Sequence, residues 1–158
     1  MNKKLKNMVV ALVACIFISS CANNTEDCNT PETAAPQAEI TELENFINTN
    51  GFLATKDYRG FFYSIVEQGS GAKPNNCSTV TVNYVGSLKN GTVFDSSSNV
   101  SFKLSNLITG WQQGLALIGK GGKIKLYIPP SLGYGNQASA SIPANSILVF
   151  EIELLNVS

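Results

Sequence analysis

The chain has 158 residues, 44% of them hydrophobic, with eleven basic and eleven acidic side chains and no histidine. That length holds one ordinary domain plus an N-terminal appendage. Balanced charge without an arginine cluster argues against nucleic acid, the lack of a Gly-rich phosphate loop against nucleotides, and the lack of His and C-x-x-C against a metal or redox site.

Taken in chain order, Lys3, Lys4 and Lys6 precede an apolar run from Met8 to Ile18 and then Ser19-Ser20, so residues 1–20 read as an export signal. The run is shorter than the about 20 apolar residues that cross a bilayer. Ile18-Ser19-Ser20-Cys21 resembles a bacterial lipoprotein processing box, which makes Cys21 the expected lipidated first residue of the mature chain. Leu12-Val13-Ala14-Cys15 matches the same box, but cleavage there leaves an apolar run of only seven residues. Cleavage without lipid and an uncleaved anchor are the alternatives. Ala22 and Asn23 put no acid directly after Cys21, which favours the outer membrane within a cell-envelope location. A triacylated Cys holds a protein at a bilayer, where one chain alone binds marginally.

Residues 21–50 carry six acids and no base, and 22–38 lack apolar periodicity, the composition of a tether. Cys28 and Cys77 remain. An oxidising compartment favours one disulfide between them, pinning the tether to the loop at 71–77, over two free thiols. Ile40, Leu43 and Ile47 then share one face of a short helix, which Thr41 is expected to cap and Asn50-Gly51 to end.

From residue 51 to 158 the pattern is that of one domain. Its period is two in Phe61/Tyr63/Ile65, Val80/Val82/Tyr84, Ile124/Leu126/Ile128 and Leu148/Phe150/Ile152/Leu154, with Glu151 and Glu153 on the wet face. Asn90-Gly91 signals a hairpin. Leu107, Ile108, Trp111, Leu115 and Ile118 fit one amphipathic helix ending at Gly119, and the serines at 96–98 and 139–141 read as loop formers. The expected fold is α+β: a strongly twisted antiparallel sheet of about five strands wrapped over one short helix.

Six blocks then make a resemblance specific. They are Tyr84-x-Gly86, Gly91-x-x-Phe94-Asp95-Ser96-Ser97, Leu107-Ile108-x-Gly110-Trp111-x-x-Gly114-Leu115, Ile128-Pro129, Gly133-Tyr134-Gly135, and Ile142-Pro143-x-Asn145 with the strand from Leu148 to Leu155. In order and spacing, over roughly residues 60–155, they resemble an FKBP-type peptidyl-prolyl cis-trans isomerase, and the lipid signal resembles envelope lipoprotein members of that family.

The resemblance implies a rotamase acting on proline-containing exported polypeptides, without a cofactor or metal, as a monomer. It places Trp111 under the proline ring, with Tyr84, Phe94, Leu107, Ile108 and Phe150 as walls and Phe102 at an outer edge. Tyr134 and the backbone N–H of Ile142 or Ile108 are expected to grip substrate carbonyls. Spacing alone leaves Asp95 either capping a Ser96–Ser98 turn or polarising the site beside Tyr84, and the resemblance selects the second. Departures lie in the loop 136–141, where Ser141 offers little apolar contact, and at Thr109 and Ala144. They imply a modest isomerase with an altered preference before proline and weak binding of the family's macrolide inhibitors. The alternative is a proline-segment-binding chaperone or holdase with little turnover.

Overall fold

The computed structural model describes residues 28–139 and 141–158; the expected signal segment, Cys21 and the start of the tether lie outside the described residues. β1 (Thr55–Lys56), β2 (Phe62–Glu67), β3 (Thr79–Leu88), β4 (Val93–Lys103), β5 (Lys123–Ile128) and β6 (Leu148–Val157) form one antiparallel sheet in the order β1-β2-β5-β6-β3-β4. The sixth strand, beyond the expected five, is β1, whose two residues are too few to carry a period.

The central strands obey the period of two. Val80, Val82, Ile124, Leu126, Ile128, Leu148, Phe150, Ile152 and Leu154 are all buried on one face. On the other face Glu151 pairs with Lys125 and Glu153 with Lys123. β2 departs from the expected alternation: Phe61 and Phe62 are both buried and Ile65 is 38% exposed. Phe62 is buried because its end of the sheet is covered on both sides. Phe62 faces the same way as its partner Tyr127, which lies under a chain of rings from Phe46 through Phe52, with centroid spacings of 5.6 and 5.4 Å.

That covering starts with α1 (Gln37–Thr49), which buries Ile40, Leu43 and Ile47 as a 3.6-residue period requires. It begins behind Pro36, ahead of the expected start, and Thr41 is no cap: its Oγ1 donates back to the Gln37 carbonyl at 2.9 Å. Pro36 takes over, its carbonyl accepting from the N–H groups of Glu39 and Ile40. The helix ends at Gly51 (φ +66°), where the Phe52 N–H bonds Ile47 and the Gly51 N–H bonds Asn48, a Schellman closure.

Residues 29–36 do not hang free as a tether. Cys28 and Cys77 form a disulfide with Cα atoms 4.9 Å apart. The Gln113 amide donates to the carbonyls of Pro31 and Thr33 at 3.0 and 2.7 Å, and the Ala35 N–H donates to the Arg59 carbonyl at 2.8 Å. This strap is held by its backbone, and so apolar periodicity could not reveal it.

The helix under the sheet, α2 (Thr109–Leu115), is shorter than expected. Leu107 and Ile108 precede it in extended conformation, and Ile118 follows it. It presses on β5 through glycines one turn apart. A Cβ on Gly110 would come within 2.7 Å of the Ile128 side chain, and one on Gly114 within 2.5 Å of Leu126. Glycines permit this approach and also weaken the helix, each by about 1 kcal/mol relative to alanine.

Candidate active site

β4 reaches the site through two irregularities in its pairing with β3. Val80 pairs with Phe102 and Val82 with Val100, then Tyr84 with Ser97, Gly86 with Asp95 and Ser87 with Val93. Strict alternation would put Asp95 and Phe102, an odd number of residues apart, on opposite faces. The first register shift, opposite Asn83, brings them to one face. It is held by Asn99, in the left-handed region at φ +53°, whose N–H donates to Asn83 Oδ1 at 2.8 Å. Ser96–Ser98 therefore lie within β4 and not in the expected loop. The second shift makes Phe94 an extra residue, its ring against Gly86, where a Cβ would meet it at 2.8 Å.

Rings then close around the indole. Trp111 is 4% exposed and meets Tyr84 at 5.3 Å, Phe150 at 5.2 Å and Phe102 at 6.5 Å, every contact within a few degrees of edge-on. Phe94 meets Phe150 at 5.6 Å and 86°. Such pairs each contribute about 0.5–1.5 kcal/mol beyond area burial, and they fix the rings' orientation.

The result is a cavity of about 220 Å³ lined by Tyr84, Phe94, Asp95, Phe102, Asn106, Leu107, Ile108, Trp111, Tyr134 and Phe150. Of the ten residues expected from the sequence to act on or contact the substrate, Ile142 alone stands apart from the lining. It is buried, and its N–H already donates to the Ser139 carbonyl at 2.6 Å, so it is not a spare donor. Asn106, which the sequence reading missed, ends a 3₁₀ turn (Leu104–Asn106) too short to show a pattern. A larger hollow of about 430 Å³ lies across the outer sheet face. It is more open, and its charges are already paired between Lys123, Lys125, Glu151 and Glu153, so volume does not select the site.

One polar pair enters the aromatic cavity. The Tyr84 hydroxyl donates to Asp95 Oδ2 at 2.6 Å, and the Asp95 side chain is otherwise exposed at the rim. Burial, and next the bond to Asp95, push the Tyr84 phenol up to about 12. Burial and the Asp95 charge also raise Tyr134. Both phenols are thus neutral donors throughout the physiological range. The Tyr134 hydroxyl bonds no other group among the described residues.

The model of the FKBP-type peptidyl-prolyl cis-trans isomerase domain matches residues 70–155, more than half the chain and all ten lining residues. The chain belongs to the FKBP-type peptidyl-prolyl cis-trans isomerase family. It is 43% identical over 143 residues to the isomerase FkpA of Buchnera aphidicola subsp. Schizaphis graminum, covering 82% of this chain and 56% of that protein. With FkpA of Escherichia coli K12 the identity is 50% over 102 residues, 62% of this chain and 38% of that one. The chain thus spans less than two thirds of these curated relatives. The crystal structure of Escherichia coli FkpA superimposes with a TM-score of 0.69 at 43% identity, over 77% of this chain and 58% of that chain. A Pseudomonas syringae isomerase superimposes at 0.68 and 33% identity, over 80% and 98%. These FKBP-type relatives carry the same sheet-over-helix frame that brings the ten residues together here.

Proposed function

We propose that the protein accelerates cis–trans isomerisation of X–Pro bonds in exported polypeptides. The observation that carries this reading is the pit of edge-on rings around Trp111, opening beside the Tyr84–Asp95 hydrogen bond. Rotation about an X–Pro bond is slow because planarity reflects amide resonance, and the barrier is about 18–20 kcal/mol. The twisted amide at the barrier top is less polar than the planar one. A dry apolar floor and walls suit it better than water does, and binding it more tightly than the ground state is catalysis. No bond breaks and no proton moves between atoms.

Each side chain has a part in that account. Trp111 takes the face of the proline ring, with Tyr84, Phe94, Phe102, Leu107 and Phe150 around it. Tyr134 and the Ile108 N–H donate to the carbonyls flanking the bond. Asp95 orients the Tyr84 hydroxyl and sets a negative potential at the rim. The reading extends to a monomer held at an envelope membrane, outer membrane favoured, by lipid on Cys21, and to weak binding of the family's macrolide inhibitors.

The test is a refolding reaction limited by proline isomerisation, whose uncatalysed phase lasts tens to hundreds of seconds. Sub-stoichiometric protein is expected to shorten that phase at least tenfold. Binding of the unfolded chain without acceleration would replace this reading with a holdase. Cys21→Ser is expected to release the protein from the membrane fraction, and retention there would refute the lipid anchor.

A further inference from the structure

Leu107 and Ile108 lie extended between the 3₁₀ turn and α2, and nearly all their backbone polar groups are engaged. The Leu107 N–H donates to Leu104 at 3.1 Å, and the Ile108 carbonyl accepts from the N–H groups of Trp111 and Gln112 at 2.9 and 3.2 Å. The Leu107 carbonyl accepts from Gln112 Nε2 at 2.7 Å. Among the described residues, the Ile108 N–H donates to no protein acceptor.

The Leu107 carbonyl and the Ile108 N–H belong to one planar trans peptide and point in opposite directions. Gln112 is 9% exposed and lies outside the cavity lining, whereas Leu107 and Ile108 are part of it. Its amide therefore grips the peptide plane from behind. Holding the carbonyl on that side turns the N–H to the cavity side. The same NH₂ group reaches the Ser105 carbonyl at 3.4 Å, tying the 3₁₀ turn to the first turn of α2.

We propose that Gln112 is a positioning residue, its buried carboxamide fixing the Leu107–Ile108 peptide plane so that the Ile108 N–H is aimed at a carbonyl of the bound proline-containing segment. The role deepens the isomerase reading and rests on it. It needs a side chain of glutamine's reach with N–H donors. Methionine keeps much of the shape and loses the donors, whereas an ionised glutamate keeps the shape and confronts the carbonyls with acceptors.

The experiment uses the full chain with a Phe–Pro peptide. Gln112→Met is expected to raise KM about tenfold, as for one lost hydrogen bond, with kcat changed less than about twofold. Gln112→Glu is expected to raise KM further although it is closer in shape. In the peptide-free protein both variants should move the Ile108 amide resonance while those of α1 stay in place. An unchanged KM with an unmoved Ile108 resonance would overturn the proposal. So would a Glu variant that behaves like the parent, since packing alone then explains the residue. An inactive parent would overturn the isomerase reading separately, and the Ile108 resonance would still decide whether Gln112 sets the peptide plane.

Discussion

Asp95 and Tyr84 divide one task between an exposed and a half-buried position. The carboxylate keeps its hydration, and the phenol, pushed up to about 12 by burial and by Asp95, keeps its proton. Tyr134 is raised as well, and the chain has no histidine. The catalytic rate kcat/KM is therefore expected to stay level from about pH 7 to about pH 9, below the ordinary range of tyrosine. A bell centred near neutrality would contradict a mechanism without proton transfer. Stability follows a definite sign. The fold favours neutral Tyr84, so its contribution is complete below the ordinary phenol value of 10.0 and is lost as pH rises through about 12. Denaturation at alkaline pH should show this loss in the parent and a smaller one in Tyr84→Phe.

At the scale of elements, the strap is the feature most open to test. The disulfide joins positions 49 residues apart, and closing a loop of that size removes entropy worth about 2–4 kcal/mol from the unfolded chain. Cys28→Ser is expected to lower stability by about that much in chemical denaturation. A change below about 0.5 kcal/mol would mean that the backbone bonds to Gln113 and Arg59 hold the strap unaided. None of those bonds was legible in the sequence, because carbonyl acceptors leave no residue signature. The period-2 strands and the Asn90-Gly91 hairpin were legible, since burial on one face dictates residue type. So were Trp111, Tyr84 and Phe150, set in motif blocks whose order and spacing carry the family pattern. The register shift at Asn99 was not, though it alone puts Asp95 and Phe102 on one face. Gln112 and Asn106 were missed because polar residues in a short helix and a 3₁₀ turn look the same whether they face solvent or a backbone carbonyl.

In the whole molecule, one face of the sheet holds α2 and the aromatic cavity, and α1 with Phe52 covers part of the other. The strap crosses from the Cys77 loop past α2 to the Arg59 turn, linking the beginning of the described chain to the helix that carries Trp111. Shortening the N-terminus to residue 38 would remove that strap and its disulfide, so a fragment for testing the proposed activity begins at Cys28 or earlier. The most direct test of the central claim is the exchange rate between cis and trans forms of a Phe–Pro peptide by NMR, for the parent, Asp95→Ala and Tyr134→Phe. Fast exchange in the parent, reduced about tenfold or more in both folded variants, is the predicted result. Saturable peptide binding by the parent with exchange no faster than in buffer would contradict it.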